Sequence, residues 1–244
     1  MTMEVSLKNI TKSNDEGQVL FKDYSVTIAS NTLTTIAGDC KSGKSTFLKL
    51  ISGDTHAQSG KIQLTGNVNT IPSYYLSPRM RLQHWRSVLD NVSLPIEEQG
   101  RTLFEAHKAA QPFLKFVDLY RWQDVPVAEM TEEDFIRIEM ARALISRAKI
   151  LLFDNLLHNT KSESRSKLQD LVLNISRQTG RTIIFATDDP AEAVYLGQRV
   201  LILKQGTVNP VSDHVVPLPT ARYQLLRQEN YYQDAVEKVD AAMH

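Results

Sequence analysis

The sequence predicts an α/β fold with a parallel core. Three observations carry this. A β-branched run, TLTTIAG at 32–38, feeds a glycine-rich loop and then KSTFLKLIS at 44–52, whose apolar residues recur at helical spacing up to Gly53, placed to cap the helix. The runs KILLFD and RTIIFATD flank the helical stretch ESRSKLQDLVLNISRQTG, the strand–helix–strand order of a parallel sheet. Between about 77 and 148 the pattern turns helical instead, so a helical subdomain interrupts the core.

Each element follows from its own pattern. Alternation in MEVSLKNI and the apolar spacing of LFKDYSVTI predict two strands of a hairpin-like antiparallel sheet, and SGKIQLTGNV, with glycines at both ends, returns to strand character. LFEAHKAAQPFLKFV and EEDFIRIEMARALISRA read as helices of the insertion. In WRSVLDNV, Trp85, Val88 and Leu89 stand at helical spacing and are expected in the core. RVLILKQGTV is a further strand. Residues 1–214 are expected to form the main domain, and 215–244 a linker and short amphipathic helix whose Leu225, Leu226, Tyr232, Val236 and Val239 cover the protein's own core or meet a partner.

Composition narrows the classes. The 244 residues are 42% hydrophobic, enough for one domain with subdivisions, and 28 Lys and Arg balance 28 Asp and Glu. No global field therefore draws the chain to nucleic acid or to an anionic membrane surface. The single cysteine, Cys40, excludes an internal disulfide or a cysteine-cluster metal site. MTMEVSLKNI lacks the apolar core of a signal peptide, and no uninterrupted apolar run approaches the roughly 18 residues that span a bilayer, so a cytoplasmic location is expected, with any membrane role exerted through a partner.

The loop carries the chemistry. Gly38, Asp39, Cys40, Lys41, Ser42, Gly43, Lys44, Ser45 and Thr46 follow the Walker A spacing between a strand and a helix, the context that gives the motif its meaning. Its glycines let successive backbone N–H groups curl around phosphate oxygens at a helix start, where the dipole adds about half a positive charge. Lys44 is expected to reach the outer phosphates, Ser45 to offer its hydroxyl to Mg²⁺, and Thr46 to add a second hydroxyl. Cys40 is an ordinary loop position. Asp154, at the end of ILLFD, suits the carboxylate that holds the Mg²⁺ shell.

Together GDCKSGKSTFLKLISGD, SGKIQLTG, WRSVLDNVSLPI, ARALISRAKILLFD, SRSKLQDLV and DPAEAVYLGQRVLIL resemble the ATP-binding subunit of an ATP-binding cassette (ABC) transporter, over about residues 3–211. WRSVLDNVSLPI is most similar to the nitrate, sulfonate and taurine importer ATPases. The resemblance implies a P-loop NTPase core with an antiparallel β-subdomain and a helical subdomain. It implies bound ATP and Mg²⁺, a second nucleotide-binding subunit paired head to tail, and integral membrane permease subunits docked on the segment around Pro78 to Pro95, with the chain peripheral on the inner face of the membrane.

Several family positions depart. The signature serine and two glycines fall on Thr131, Glu132 and Glu133, followed by Asp134, so acids occupy a turn that in the family offers bare N–H groups to a partner's γ-phosphate. Acids also suit the first turn of a helix, with Thr131 as its N-cap. The family's catalytic glutamate is Asn155, which cannot accept a proton at neutral pH, and its switch histidine is Asp188. Its glutamine aligns with Leu76, its dimer-coupling aspartate with Lys161, and its adenine-stacking aromatic with Asn14. Hydrolysis is thus expected to be weak or absent. Three readings follow: an importer-type subunit that binds Mg-ATP, a regulatory or scaffold pseudo-ATPase, and an active ATPase using Asp188, Asp189 or Glu192 as base.

Overall fold

Burial divides the strands between two sheets. The computed structural model describes residues 3–65, 73–77, 81–219, 222 and 224–244. Strands β1 (Glu4–Ser13), β2 (Val19–Ile28) and β4 (Ser59–Thr65) each keep exposed positions and pair antiparallel in the order β2-β1-β4. Strands β3 (Leu33–Ala37), β6 (Ile150–Asp154) and β7 (Thr182–Thr187) are buried at every position. They lie within a six-stranded sheet of order β5-β6-β7-β3-β8-β9, where β5 is Ser73–Leu76, β8 Arg199–Ile202 and β9 Ser212–Val215. Pairing is parallel from β5 to β8, and β9 runs antiparallel at the edge. Continuous apolar runs buried on both faces are what a covered parallel sheet requires.

Alternate residues of β6 serve two cores. Ile150 and Leu152 join a core that also holds Val5, Phe21, Ile28 and, from α1 (Lys44–Ser52), Phe47 and Leu48. Leu151 and Phe153 face the other core with α2 (Val88–Glu97), α3 (Leu103–Phe116), α4 (Glu132–Ile145), α5 (Ser162–Thr179) and α6 (Pro190–Leu196). The helices of the insertion start on side-chain caps: Ser87 accepts from the Asp90 N–H, and Thr102 forms a capping box with Glu105. The Tyr74 hydroxyl of β5 donates to Glu139 of α4, which also pairs with Arg142 at 2.9 Å. This polar link joins the insertion to the sheet's edge.

Three differences from the sequence reading have physical causes. Val88 and Leu89 are core residues, but Trp85 is 80% exposed, because α2 begins only after the Ser87 cap and residue 85 lies outside its periodicity. The strand at RVLILKQGTV stops at Ile202, followed by a turn with Gly206 at φ 78°. β5 and β9, of four residues each, are too short to show periodicity. Gly66, Asn67, Val68 and Pro78 lie outside the described residues.

The C-terminal segment packs on the protein itself. α7 (Asn230–Met243) lies against α6, with Tyr232, Val239 and Met243 buried, and the Tyr232 hydroxyl donates to the Ala191 carbonyl at 2.8 Å. Leu226 is buried and Leu225 is exposed. The buried Arg222 guanidinium holds the connecting segment by donating to the carbonyls of Tyr195 and Gly197, both at 3.0 Å. Among the described residues, no helix is long and apolar enough to cross a membrane.

Phe153 packs edge-on to Phe185, ring centroids 5.7 Å apart, one residue before Asp154. Phe153→Ala is expected to lower unfolding stability by about 3–5 kcal/mol in urea titrations, because the buried ring leaves a cavity.

Candidate nucleotide-binding site

The site starts where β3 ends. A Cβ on Gly38 would stand 2.0 Å from the Leu203 carbonyl oxygen, so only glycine fits there. Gly43 takes φ 102° at the position that starts α1, a left-handed conformation that other residues rarely adopt. α1 has no side-chain cap and no acid in its first turn, and its N–H groups and dipole are left for a ligand. The Lys44 ammonium is buried and donates to the Gly38 carbonyl at 2.5 Å and the Asp39 carbonyl at 2.7 Å. Burial pushes its pKa down, and the charges of Asp188 and then Asp154 oppose that shift.

Asp154 lies beside this loop through the sheet. The Ser45 hydroxyl donates to Asp154 Oδ1 at 3.0 Å, and the Tyr75 hydroxyl of β5 donates to Oδ2 at 2.5 Å. Burial and then this bond push the Tyr75 phenol well above its ordinary pKa. The sequence reading missed Tyr75, whose placement depends on the pairing of Leu76 with Phe153 in neighbouring strands. Leu76, aligned with the family's glutamine, is buried in the apolar core.

A cavity of about 520 Å³ brings together Asn14, residues 40–46, Asp154, Asn155, His158 and Asp188. Gly38 and Asp39 support it through the carbonyls that hold Lys44. Cys40 is exposed. Asn14 builds a turn instead of offering a ring, its side chain accepting from the N–H groups of Glu16 and Gln18. Two buried oxygens beside the loop, Ser42 Oγ and Asn155 Oδ1, have no hydrogen-bond partner. An anionic, oxygen-rich ligand with a hard cation fits this set: a free helix start, an ammonium, a hydroxyl and a carboxylate.

The three acids considered as alternative bases separate. Asp188 lines the cavity and meets His158, a residue the sequence reading overlooked because it is 30 positions away. Asp189 caps α6 by accepting from the Glu192 N–H and pairs with Arg165 at 3.2 Å. Glu192 is buried away from the loop, accepting from Thr187 at 2.6 Å and from Gln169 at 2.8 Å. Lys161 stands at the start of α5.

The start of α4 contrasts with that of α1. Thr131 and Asp134 form a capping box: Thr131 N–H donates to the Asp134 carboxylate at 3.1 Å and the Thr131 hydroxyl accepts from the Asp134 N–H. Glu133 pairs with Arg137 at 2.7 Å. Burial alone would raise its pKa, but bonds from Ser164 and Arg137 hold the carboxyl below its ordinary value. This helix start is filled by the chain's own acids.

A phosphate-binding loop at the end of a central parallel strand, with a small antiparallel sheet and a helical insertion, defines an ATP-binding cassette fold. Residues 21–158 match the family model described as ABC transporter. The aliphatic sulfonates import ATP-binding protein of Zymomonas mobilis is 32% identical over 225 residues, covering 90% of this chain and 89% of that protein. The Fe(3+) ions import ATP-binding protein of Agrobacterium fabrum is 30% identical over 198 residues, covering 76% of this chain and 54% of that protein. The solved dimeric structure of a bacterial ABC transporter cassette superposes with a TM-score of 0.74 at 23% identity, covering 88% of this chain and 100% of that one. The chain belongs to the ABC transporter family, as an ATP-binding domain.

Burial raises the Glu192 pKa against the bonds from Thr187 and Gln169, so the folded chain binds that proton more tightly than the unfolded chain. Its stabilising contribution is full below the unfolded carboxyl value of about 4.3 and is lost as pH rises through the folded value. The melting temperature of Glu192→Gln, relative to the unsubstituted protein, is therefore expected to climb steadily from pH 4 to pH 8. A pH-independent difference would mean that the buried carboxyl does not hold its proton.

Proposed function

We propose that this chain is the ATP-binding subunit of an importer-type ABC transporter that holds Mg-ATP and hydrolyses it weakly or not at all. The importer type is suggested by the names of the relatives, which are import ATP-binding proteins. The opposite chemistry of the two helix starts carries the holding role: α1 is open and free of acid, α4 closed by its own carboxylates. The first suits phosphate. The second sets like charge against it.

In this reading the loop amides from residues 40–46 and Lys44 grip the phosphates, the ammonium leaving the two carbonyls it now bonds. Ser45 and Asp154 hold Mg²⁺, which when bound screens phosphate charge. Tyr75 fixes the Asp154 carboxylate. Asn155 lines the cavity where a base is wanted, and its amide accepts no proton at neutral pH, so general-base assistance of roughly 10²–10⁴-fold is missing. Partners consistent with this role are membrane permease subunits, for which exposed Trp85 offers an apolar contact, and a second nucleotide-binding subunit.

Calorimetric titration of Mg-ATP tests the reading, with Lys44→Ala as control. Saturable binding without continuing thermal power is expected, with affinity at least about tenfold weaker in Lys44→Ala because a charge-assisted contact is lost. Sustained power that depends on Lys44 would sink the weak-hydrolysis reading. Absence of binding would leave the cassette a scaffold.

A further inference from the structure

The loop after β6 and the loop after β7 bring an imidazole and a carboxylate together in the phosphate-loop cavity. His158 Nδ1 lies 3.2 Å from Asp188 Oδ1 and 2.9 Å from Oδ2. A carboxylate accepts and does not donate, so Nδ1 carries the proton, and Nε2 is not engaged by this pair. His158 remains half-exposed within a lining shared with Lys44, Ser45 and Asp154.

The charge of that lining poses a problem for an anion. Asp15, Glu16, Asp154 and Asp188 oppose Lys41 and Lys44, a net of −2 with His158 neutral. A triphosphate entering it meets more acid than base, and a divalent cation relieves only part of the imbalance. His158 brings an imidazole to this lining, a group that can add a positive charge by binding a proton.

We propose that His158, positioned by Asp188, takes up a proton as nucleotide binds and meets the terminal phosphate as an imidazolium, so that the site distinguishes a triphosphate from a diphosphate by proton-linked binding. This rests on the nucleotide-holding reading above. Acids outnumber bases around His158. Asp188 and, across the cavity, Asp154 favour the imidazolium. Lys44 opposes it, as does Arg165 of α5, whose guanidinium donates to the His158 carbonyl at 3.1 Å. Asp189 offsets Arg165 through their ion pair. The added phosphate charge reinforces this bias toward the imidazolium. With Nδ1–H on Asp188, the imidazolium has Nε2–H to give to a phosphate oxygen, a bond the neutral ring in this tautomer cannot make.

The test is calorimetry of Mg-ATP and Mg-ADP in two buffers of different ionisation enthalpy near pH 7, on the unsubstituted protein, His158→Gln and Asp188→Asn. Mg-ATP binding to the unsubstituted protein is expected to take up a fraction of a proton more than binding to His158→Gln. Its affinity should fall by up to about tenfold from pH 6 to pH 8, against less than about threefold in that variant. Mg-ADP should show the smaller linkage, and Asp188→Asn should lose most of it. Equal proton uptake in the unsubstituted protein and His158→Gln, with binding retained, would overturn this inference alone. Absence of saturable binding in the unsubstituted protein would overturn the nucleotide reading and this inference with it. A purely structural ion pair would shift affinity equally at every pH.

Discussion

The close approach of the Gly38 backbone to the Leu203 carbonyl is the constraint on which the site depends. Leu203 in turn donates its N–H to the Ala37 carbonyl at 2.8 Å, so the exit of β3 is clamped against the strand beside it by backbone alone. A side chain at 38 would push the chain off that strand, and with it the start of α1 and the carbonyls that hold Lys44. Because the clamp uses no side chain, the positions between the two glycines are free to vary in chemistry. Asp39, Cys40, Lys41 and Ser42 fill them, and Lys41 accepts a left-handed φ of 64° at a cost of about 1–2 kcal/mol that the clamp sustains.

The same helix physics gives opposite results at α1 and α4. An uncapped start leaves N–H groups unsatisfied, which lowers the stability of the isolated helix but keeps its positive end for a ligand. A start capped by Thr131 and Asp134, with Glu132 and Glu133 beside the dipole, gains about 0.3–1 kcal/mol per acid and offers an external anion less of its positive end. The local stability of α4 and its availability to an external phosphate are alternatives, and this sequence takes the first.

Legibility followed sequence distance. The loop was readable because its donors are contiguous, and Asp154 because a buried strand ends on it. The Thr131 cap was readable because capping spans one turn. The contacts of Tyr75 with Asp154 and of His158 with Asp188 cross 79 and 30 positions, and both depend on which strands become neighbours, which periodicity does not encode. Trp85 failed for the opposite reason: its spacing matched a helix that had not yet begun. Asn14, which stands where the family has its stacking aromatic, builds a turn by local physics, as an asparagine two and four residues before free N–H groups does.

Two of the residues that depart from the family pattern, Asp134 and Asp188, are satisfied within this chain. Asn155 leaves β6 with φ 49°, a left-handed conformation that asparagine tolerates better than most side chains, so this position carries less backbone strain. Asp134 closes α4, and Asp188 binds His158. Among the unpaired buried oxygens of the described residues, Ser42 Oγ and Asn155 Oδ1 lie beside the loop. At α4 and at Asp188, partners within the chain are already in place. Polar capacity for a ligand is thus left at the start of α1 and used internally at α4 and at Asp188.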